Sequence, residues 1–259
     1  MINIDKHLFL PNTQNITAIC SGASGSGKTW LAVTLAHALN IQRRSILLFD
    51  ADSGLSNIHS QLGWTTQPVL NQTVEERLTF NQAVIPINKR KFDVWATGAG
   101  SELWQDMPIG RLQIYKDYLQ TIAQNYDHVV VDLSSHEKIM THLMPLSTQL
   151  ILICTIEPAN LVATYHFLQH KKLLSRYKNL QIVVNYANSY EEGLRTYNTL
   201  RRACEQYIEK TPTLLGVVRN DTHVREAIYH HALLLQRYPN CDAAQDISQI
   251  AGRLLKGDL

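Results

Sequence analysis

Gly22-Ala23-Ser24-Gly25-Ser26-Gly27-Lys28-Thr29 decides how this chain is read. It has the spacing GxxxxGK(S/T), follows the apolar run Ile16 to Cys20, and opens a helical pattern with apolar positions at Leu31, Val33, Leu35, Ala36 and Leu39. A loop of this spacing between a strand and a helix is built to hold phosphate. The glycines let the backbone curl so that successive N–H groups point inward at anionic oxygens. The start of the helix adds the positive end of its dipole. On this reading Gly22, Ser24, Gly25, Ser26 and Gly27 wrap the phosphates, Lys28 reaches the β- and γ-phosphates, and the Thr29 hydroxyl ligates Mg2+. A Ser/Gly-rich turn that happens to end in Lys-Thr would leave the flanking strand and helix unaccounted for.

Short apolar runs alternate with helical stretches along the rest of the chain. Residues 45–49, 92–96, 128–133, 149–155, 180–184 and 214–218 read as strands, and 109–126, 158–174, 191–210, 221–229 and 243–255 as helices. Continuous Val/Ile/Leu strands alternating with helices predict an α/β fold, a doubly wound and mostly parallel sheet with helices on both faces. No composition shift marks a linker, so residues 1–259 read as a single nucleotide-binding domain, with the irregular stretches 63–91 and 97–108 as an elaborated edge. Two strands end in acid: Asp50 follows SILLF and Asp132 follows HVVV. Ligands of open parallel sheets bind at the carboxyl ends of the strands, where an aspartate can hold Mg2+ directly or through water. Thr29, Asp50 and Asp132 are therefore the candidate metal ligands, with Asp132 in the Walker-B position.

Composition excludes several classes. In 259 residues, 45% are hydrophobic and 18% charged, which excludes a disordered chain. Lys plus Arg is 24 against 22 for Asp plus Glu, a formal net charge of +2, so a protein held to nucleic acid by bulk charge is not indicated. The four cysteines, Cys20, Cys154, Cys204 and Cys241, show no CxxC spacing and fit a reducing, cytoplasmic setting. The first residues lack the basic and apolar segments of a signal peptide, and the longest apolar run, near residues 150–156, falls far short of the ~20 residues that span a bilayer.

Over most of its length the chain resembles the MinD/ParA family of deviant P-loop ATPases, and within it the flagellar-number regulators of the FlhG/FleN type. Ser21 to Thr29 aligns with the family's SGKGGVGKT, and Asp50-Ala51-Asp52-Ser53-Gly54-Leu55-Ser56-Asn57 is similar to its DADLGLAN. Tyr126-Asp127 before VVVD, Glu157-Pro158, Val184-Asn185, the run from Leu215 through Asp221 to Ala227, and Tyr238-Pro239-Asn240 resemble further family segments. The resemblance implies ATP with Mg2+ as ligands, Asn185 as a contact to adenine, and Asp52 as the residue that orients the attacking water, with Lys28 as its catalytic companion. It also implies an ATP-dependent homodimer and a protein partner, a flagellar transcription activator or GTPase.

The departures carry equal weight. The family's signature lysine, which reaches the partner's phosphates across the dimer, falls on Ala23, and the next glycine is Ser24. An alanine cannot supply that charge, so ATP binding with slow hydrolysis is expected; a lost arginine finger, for comparison, costs about 10³–10⁵-fold. Alternatives are a non-hydrolysing ATP-binding interaction module and a ParA-like positioner of DNA or cargo. Arg219 stands where relatives carry proline, and with Ala23 uncharged it is a candidate nucleotide contact. The amino-terminal partner-stimulating motif and the carboxy-terminal membrane helix of some relatives have no counterpart here. The apolar face Ile247, Ile250, Ala251, Leu254 and Leu255 reads as core packing instead. The basic pairs Arg43-Arg44, Lys171-Lys172 and Arg201-Arg202 and the run Lys89-Arg90-Lys91 are short and read as solvated faces, so DNA is not the expected partner. The eleven histidines show no zinc spacing.

Overall fold

Strand β1 (Ile16–Ser21) is buried at all of its six positions, as a strand covered on both faces must be. A computed structural model describes residues 16–52, 58–64, 84–96, 107–133, 136–169, 179–208 and 211–256. After β1 come α1 (Lys28–Ile41), β2 (Ile46–Ala51), α2 (Ile58–Gln61), β3 (Ile85–Asn88), β4 (Phe92–Trp95), α3 (Ile109–Ala123) and β5 (His128–Leu133). Then follow α4 (Glu137–Leu143), β6 (Gln149–Thr155), α5 (Pro158–Leu168), β7 (Asn179–Ala187), α6 (Tyr190–Tyr207), β8 (Thr213–Arg219), α7 (Thr222–Tyr229), α8 (Leu234–Arg237) and α9 (Asp242–Lys256). The sheet order is β3-β4-β2-β5-β1-β6-β7-β8. Every pairing is parallel except β3 with β4, which is antiparallel and shifts register between Pro86 and Asn88.

Alternation along the strands divides the core into two layers. Ile16, Ala18 and Cys20 face a layer shared with α3 to α6, while Ile19 faces one built by α1, α7, α8 and α9. The chain leaves β1 toward β2 and leaves β6 toward β7, in opposite directions along the sheet, with α1 on one face and α5 on the other. The carboxyl ends of β1 and β6 therefore flank a crevice at the topological switch point, where ligands of such sheets bind.

The expected doubly wound sheet is present, with differences at its margins. The stretch read as irregular contains β3. Helix α1 begins at Lys28 itself, and α6 ends at Tyr207 because Ile208 is extended, with Pro212 soon after. Residues 170–178, which the reading continued as helix to 174 and which include Lys171-Lys172, lie outside the described residues. The apolar stripe of α9 is core: Ile247, Ile250, Ala251 and Leu254 are buried against β8 and α1. Among the described residues no helix is long and apolar enough to cross a membrane.

At the amino end of the sheet, Thr17 joins β5 and β6. Its hydroxyl donates to Gln149 Oε1 at 2.9 Å and meets His128 Nε2 at 2.8 Å. One hydroxyl proton cannot serve both, so Nε2 carries the hydrogen and donates to Thr17. Burial lowers His128 from 6.5 to about 4, and burial does the same to His37. Both rings are thus folded neutral, while the unfolded chain takes up protons as pH falls below 6.5. Their contribution is intact above that pH and is lost progressively toward pH 4. The melting temperature should fall across this window, and His128→Gln, which keeps a donor toward Thr17 but does not titrate, should make the fall shallower in calorimetry at a series of pH values.

Candidate functional site

The loop between β1 and α1 is held from three sides. At its start the Ser21 hydroxyl donates to the Ala23 carbonyl at 2.5 Å and accepts the Ala23 N–H at 3.1 Å. Gly22 passes so near α5 that a Cβ there would lie 2.5 Å from the Ala163 carbonyl oxygen. At its end Gly27 has φ +88°, a left-handed conformation that costs a residue with a Cβ about 1–2 kcal/mol. Its carbonyl accepts the first helical bond of α1, from the Leu31 N–H at 2.9 Å. Between them the buried Asn185, at the carboxyl end of β7, donates Nδ2 to the Ser26 carbonyl at 2.9 Å. A Cβ on Gly27 would come 2.4 Å from that same nitrogen. Asn185 therefore clamps the loop, a task its family resemblance does not announce.

The carboxyl ends of β2 and β5 meet the loop lysine. Asp50 and Asp132 are paired in register, and both are fully buried. Lys28 Nζ donates to Asp132 Oδ1 at 3.1 Å and to Asp52 Oδ2. Burial works against the Lys28 charge, but the carboxylates of Asp132 and Asp52 outweigh it and hold the ammonium well above the ordinary lysine range. Burial raises Asp50, and the neighbouring Asp132 raises it further; the Asp52 N–H, donated to Asp50 Oδ1 at 3.1 Å, opposes them. Burial also raises Asp132, against the pull of Lys28. Three carboxyl groups thus share one ammonium.

This donor set fits a small hard cation. All the donors are oxygen, the Thr29 hydroxyl lies near enough to Asp132 to lower it, and Asp132 Oδ2 is buried with no hydrogen-bond partner. An unpaired buried carboxylate oxygen is costly, and a Mg2+ held by one or two carboxylates plus phosphate oxygens is the kind of partner that relieves it. Thr29, Asp50 and Asp132, the three residues expected to hold the metal, do converge.

Beside Gly27 lies a cavity of about 330 Å³ lined by Trp30, Asn185, Tyr186, Arg219, Asp221 and Val224, among others. Tyr186 is held at φ +59°, unusual for a residue with a side chain, and its hydroxyl would sit 3.2 Å from a Cβ on Gly27. Arg219 lines the cavity, but its guanidinium faces away toward α9. Nε and Nη2 reach Asp246 at 2.9 Å, and Nη1 reaches Asp242 at 2.8 Å. All three nitrogens are so engaged, and the stem is the part left to face a ligand. The structure brings Gly22 to Thr29, Asp50, Asp52, Asp132 and Asn185 to one place, with Arg219 on the far wall of the adjoining cavity. Trp30 and Tyr186 were not singled out from sequence; the one available signal was that each directly follows a motif residue, Thr29 and Asn185. His136, four residues beyond Asp132 in the chain, is exposed at the start of α4. The DADSGLSN run leaves the described residues after Asp52.

Two substitutions test this geometry. Asp50 is raised above its unfolded value, so folding carries a penalty that appears as pH rises past about 4 and grows toward neutrality. Asp50→Asn, which still accepts the Asp52 N–H, should raise the melting temperature of the free protein, little near pH 4 and more at pH 7–8, while weakening Mg2+-dependent ligand binding. Gly27→Ala should lower nucleotide affinity at least tenfold, by about 1.4 kcal/mol or more in titration calorimetry, because both φ and Asn185 oppose the methyl group.

A family model described as the CobQ/CobB/MinD/ParA nucleotide binding domain matches residues 17–234. The antiactivator FleN of Pseudomonas aeruginosa is 24% identical over 248 residues, covering 92% of this chain and 85% of that protein. The flagellum site-determining protein YlxH of Helicobacter pylori is 24% identical over 247 residues, covering 94% and 82%. Among solved structures, the septum site-determining protein MinD of Pyrococcus horikoshii, complexed with Mg-ADP, superposes with a TM-score of 0.72 at 18% identity, covering 94% of this chain and 98% of that one.

Proposed function

Because this chain belongs to the CobQ/CobB/MinD/ParA nucleotide-binding family, we propose that it is an ATP-gated regulatory switch whose nucleotide state sets how it engages a protein partner. The observation that carries the reading is the convergence of Lys28, Asp50, Asp52 and Asp132 at the mouth of the clamped loop, beside a cavity of about 330 Å³. The loop amides and the amino end of α1 receive the phosphates. Trp30 and Tyr186 border the cavity taken by the base, and the Arg219 stem adds to its wall. Bound Mg2+, held by Thr29 with Asp50 and Asp132, would neutralise phosphate charge and orient the γ-phosphate. Lys28 exchanges carboxylate partners for phosphate oxygens, and Asp52, released from Lys28, is placed to orient a water.

Slow hydrolysis is part of the proposal. Ala23 occupies the position of the family's signature lysine, so the charge that would reach across an ATP-bound homodimer is missing. The names of two relatives, an antiactivator and a flagellum site-determining protein, support a regulatory role in flagellar placement; the partner proposed with it, by family resemblance, is a flagellar transcription activator or a GTPase, and the setting the cytoplasm. Ala23 also favours a second reading, an ATP-holding interaction module without turnover. Phosphate release from Mg·ATP at several protein concentrations, with Lys28→Ala as blank, separates the two. The switch reading expects a rate above the blank that rises per molecule with concentration. ATP binding in calorimetry with a rate equal to the blank favours the module, and the absence of ATP binding defeats both.

A further inference from the structure

Across the cavity wall from the phosphate loop, three side chains of different chemistry meet. Asp221 stands between β8 and α7, His223 in the first turn of α7, and Cys241 directly before α9. One donor atom from each lies within 4.8 Å of the other two. Asp221 Oδ1 and His223 Nδ1 are 2.8 Å apart. All three residues are half-buried, sheltered but open to an ion from solvent. Cys20, Cys154 and Cys204 are fully buried, so among the cysteines Cys241 alone is placed to meet an ion.

We propose that Asp221, His223 and Cys241 form a binding site for a divalent metal of borderline softness, zinc before others. Thiolate, imidazole and carboxylate are the zinc ligands, whereas Mg2+ and Ca2+ call for oxygen alone. Ligand distances of about 2.0–2.3 Å in a tetrahedron place donor atoms roughly 3.5 Å apart. One present spacing is 2.8 Å and the others are at most 4.8 Å, so closure calls for side-chain shifts of the order of an ångström. The surroundings already orient the donors. The Ala243 N–H donates to Asp221 Oδ2 at 3.3 Å, and the His223 N–H donates to Asp221 Oδ1 at 3.0 Å. Burial, with the Asp221 carboxylate adding to it, pushes the Cys241 thiol up to about 11 against the nearby Ala244 and Ala243 amides, so the free protein holds it as the thiol and the ion must displace its proton. The ring of Tyr238 lies 4.7 Å from that of His223 and limits its swing.

The chemistry balances without a further reactant. In the free protein Nδ1 carries the imidazole hydrogen, because the carboxylate opposite can only accept. On metal binding that hydrogen passes to Nε2, Nδ1 takes the ion, and the Cys241 thiol releases its proton to solvent. The fourth position is left to water. The ion would join the segment after β8, the start of α7 and the start of α9, which the Asp221 carboxylate already links through the His223 and Ala243 amides. The site stands on side-chain geometry and does not depend on the nucleotide reading.

Chelator-treated full-length protein is titrated with Zn2+ against a chromophoric chelator, and separately with Co2+ in the absorption spectrometer. The expected result is one equivalent of Zn2+, an upward shift in melting temperature with the metal, and a thiolate-to-cobalt charge-transfer band. Cys241→Ser should abolish the band, and His223→Ala should weaken Zn2+ binding roughly 100-fold or more, the upper end of what loss of even a supporting residue costs. His230→Ala, an exposed neighbour, should leave binding unchanged. Failure to bind one equivalent, a cobalt spectrum without the thiolate band, or affinity unmoved by both substitutions would overturn the site. The cobalt spectrum of the unsubstituted protein keeps the test decisive if a variant fails to fold.

Discussion

One buried ammonium holds the carboxyl end of this sheet together. Parallel pairing of β2 with β5 sets Asp50 beside Asp132, and the chain beyond β2 brings Asp52 to the same point. Charges so close and so dry repel one another and resist ionisation. Lys28 enters from the first residue of α1 and contacts two of the three groups. The loop can therefore be placed only where its lysine meets the strand ends, and α1 must start there. Removing one partner of such a pair is costly, typically about 3–5 kcal/mol. The same tension makes the place receptive to an added cation and to phosphate oxygens, which redistribute charge that the protein alone balances incompletely.

The two layers of the core serve this arrangement. Because α1 covers one face and α5 the other, the loop sits between helices that cannot both move away from it. Gly22 touches the backbone of α5, and Gly27 touches Asn185 on β7. Loop, strand and helix are thus in mutual contact before any ligand arrives, and a cradle built in advance reduces the ordering that binding requires. Past the cradle the walls change character. Arg219 belongs to the cavity through its stem and to α9 through its guanidinium, so it ties the cavity wall to the last described helix.

What was legible in the sequence was what lies in unbroken strings. The loop Gly22 to Thr29 carries its own chemistry in eight consecutive residues, and the strand patterns ending in Asp50 and Asp132 state their burial residue by residue. Pairing between strands was legible as parallel in kind but not in register, and register is what places the two acids side by side. The tasks of Asn185 and Arg219 were not legible. Asn185 contacts Ser26 across 159 positions, and Arg219 contacts Asp246 across 27, and no local pattern anticipates either. The cluster of Asp221, His223 and Cys241 was hidden for the same reason, since its spacing matches no motif and exists because α7 and α9 fold back on one another. β3 escaped notice because four residues with a proline among them carry little strand signal.

That proline bears on how the molecule can associate. Among the described residues β3 is the outer strand on its side of the sheet, it runs against its neighbour, and Pro86 has no N–H to offer while the register slips just beyond it. Such an edge is blunted: a strand from another molecule would find an interrupted row of donors and a local kink. The sheet is thus discouraged from growing sideways into a continuous inter-molecular sheet along this border.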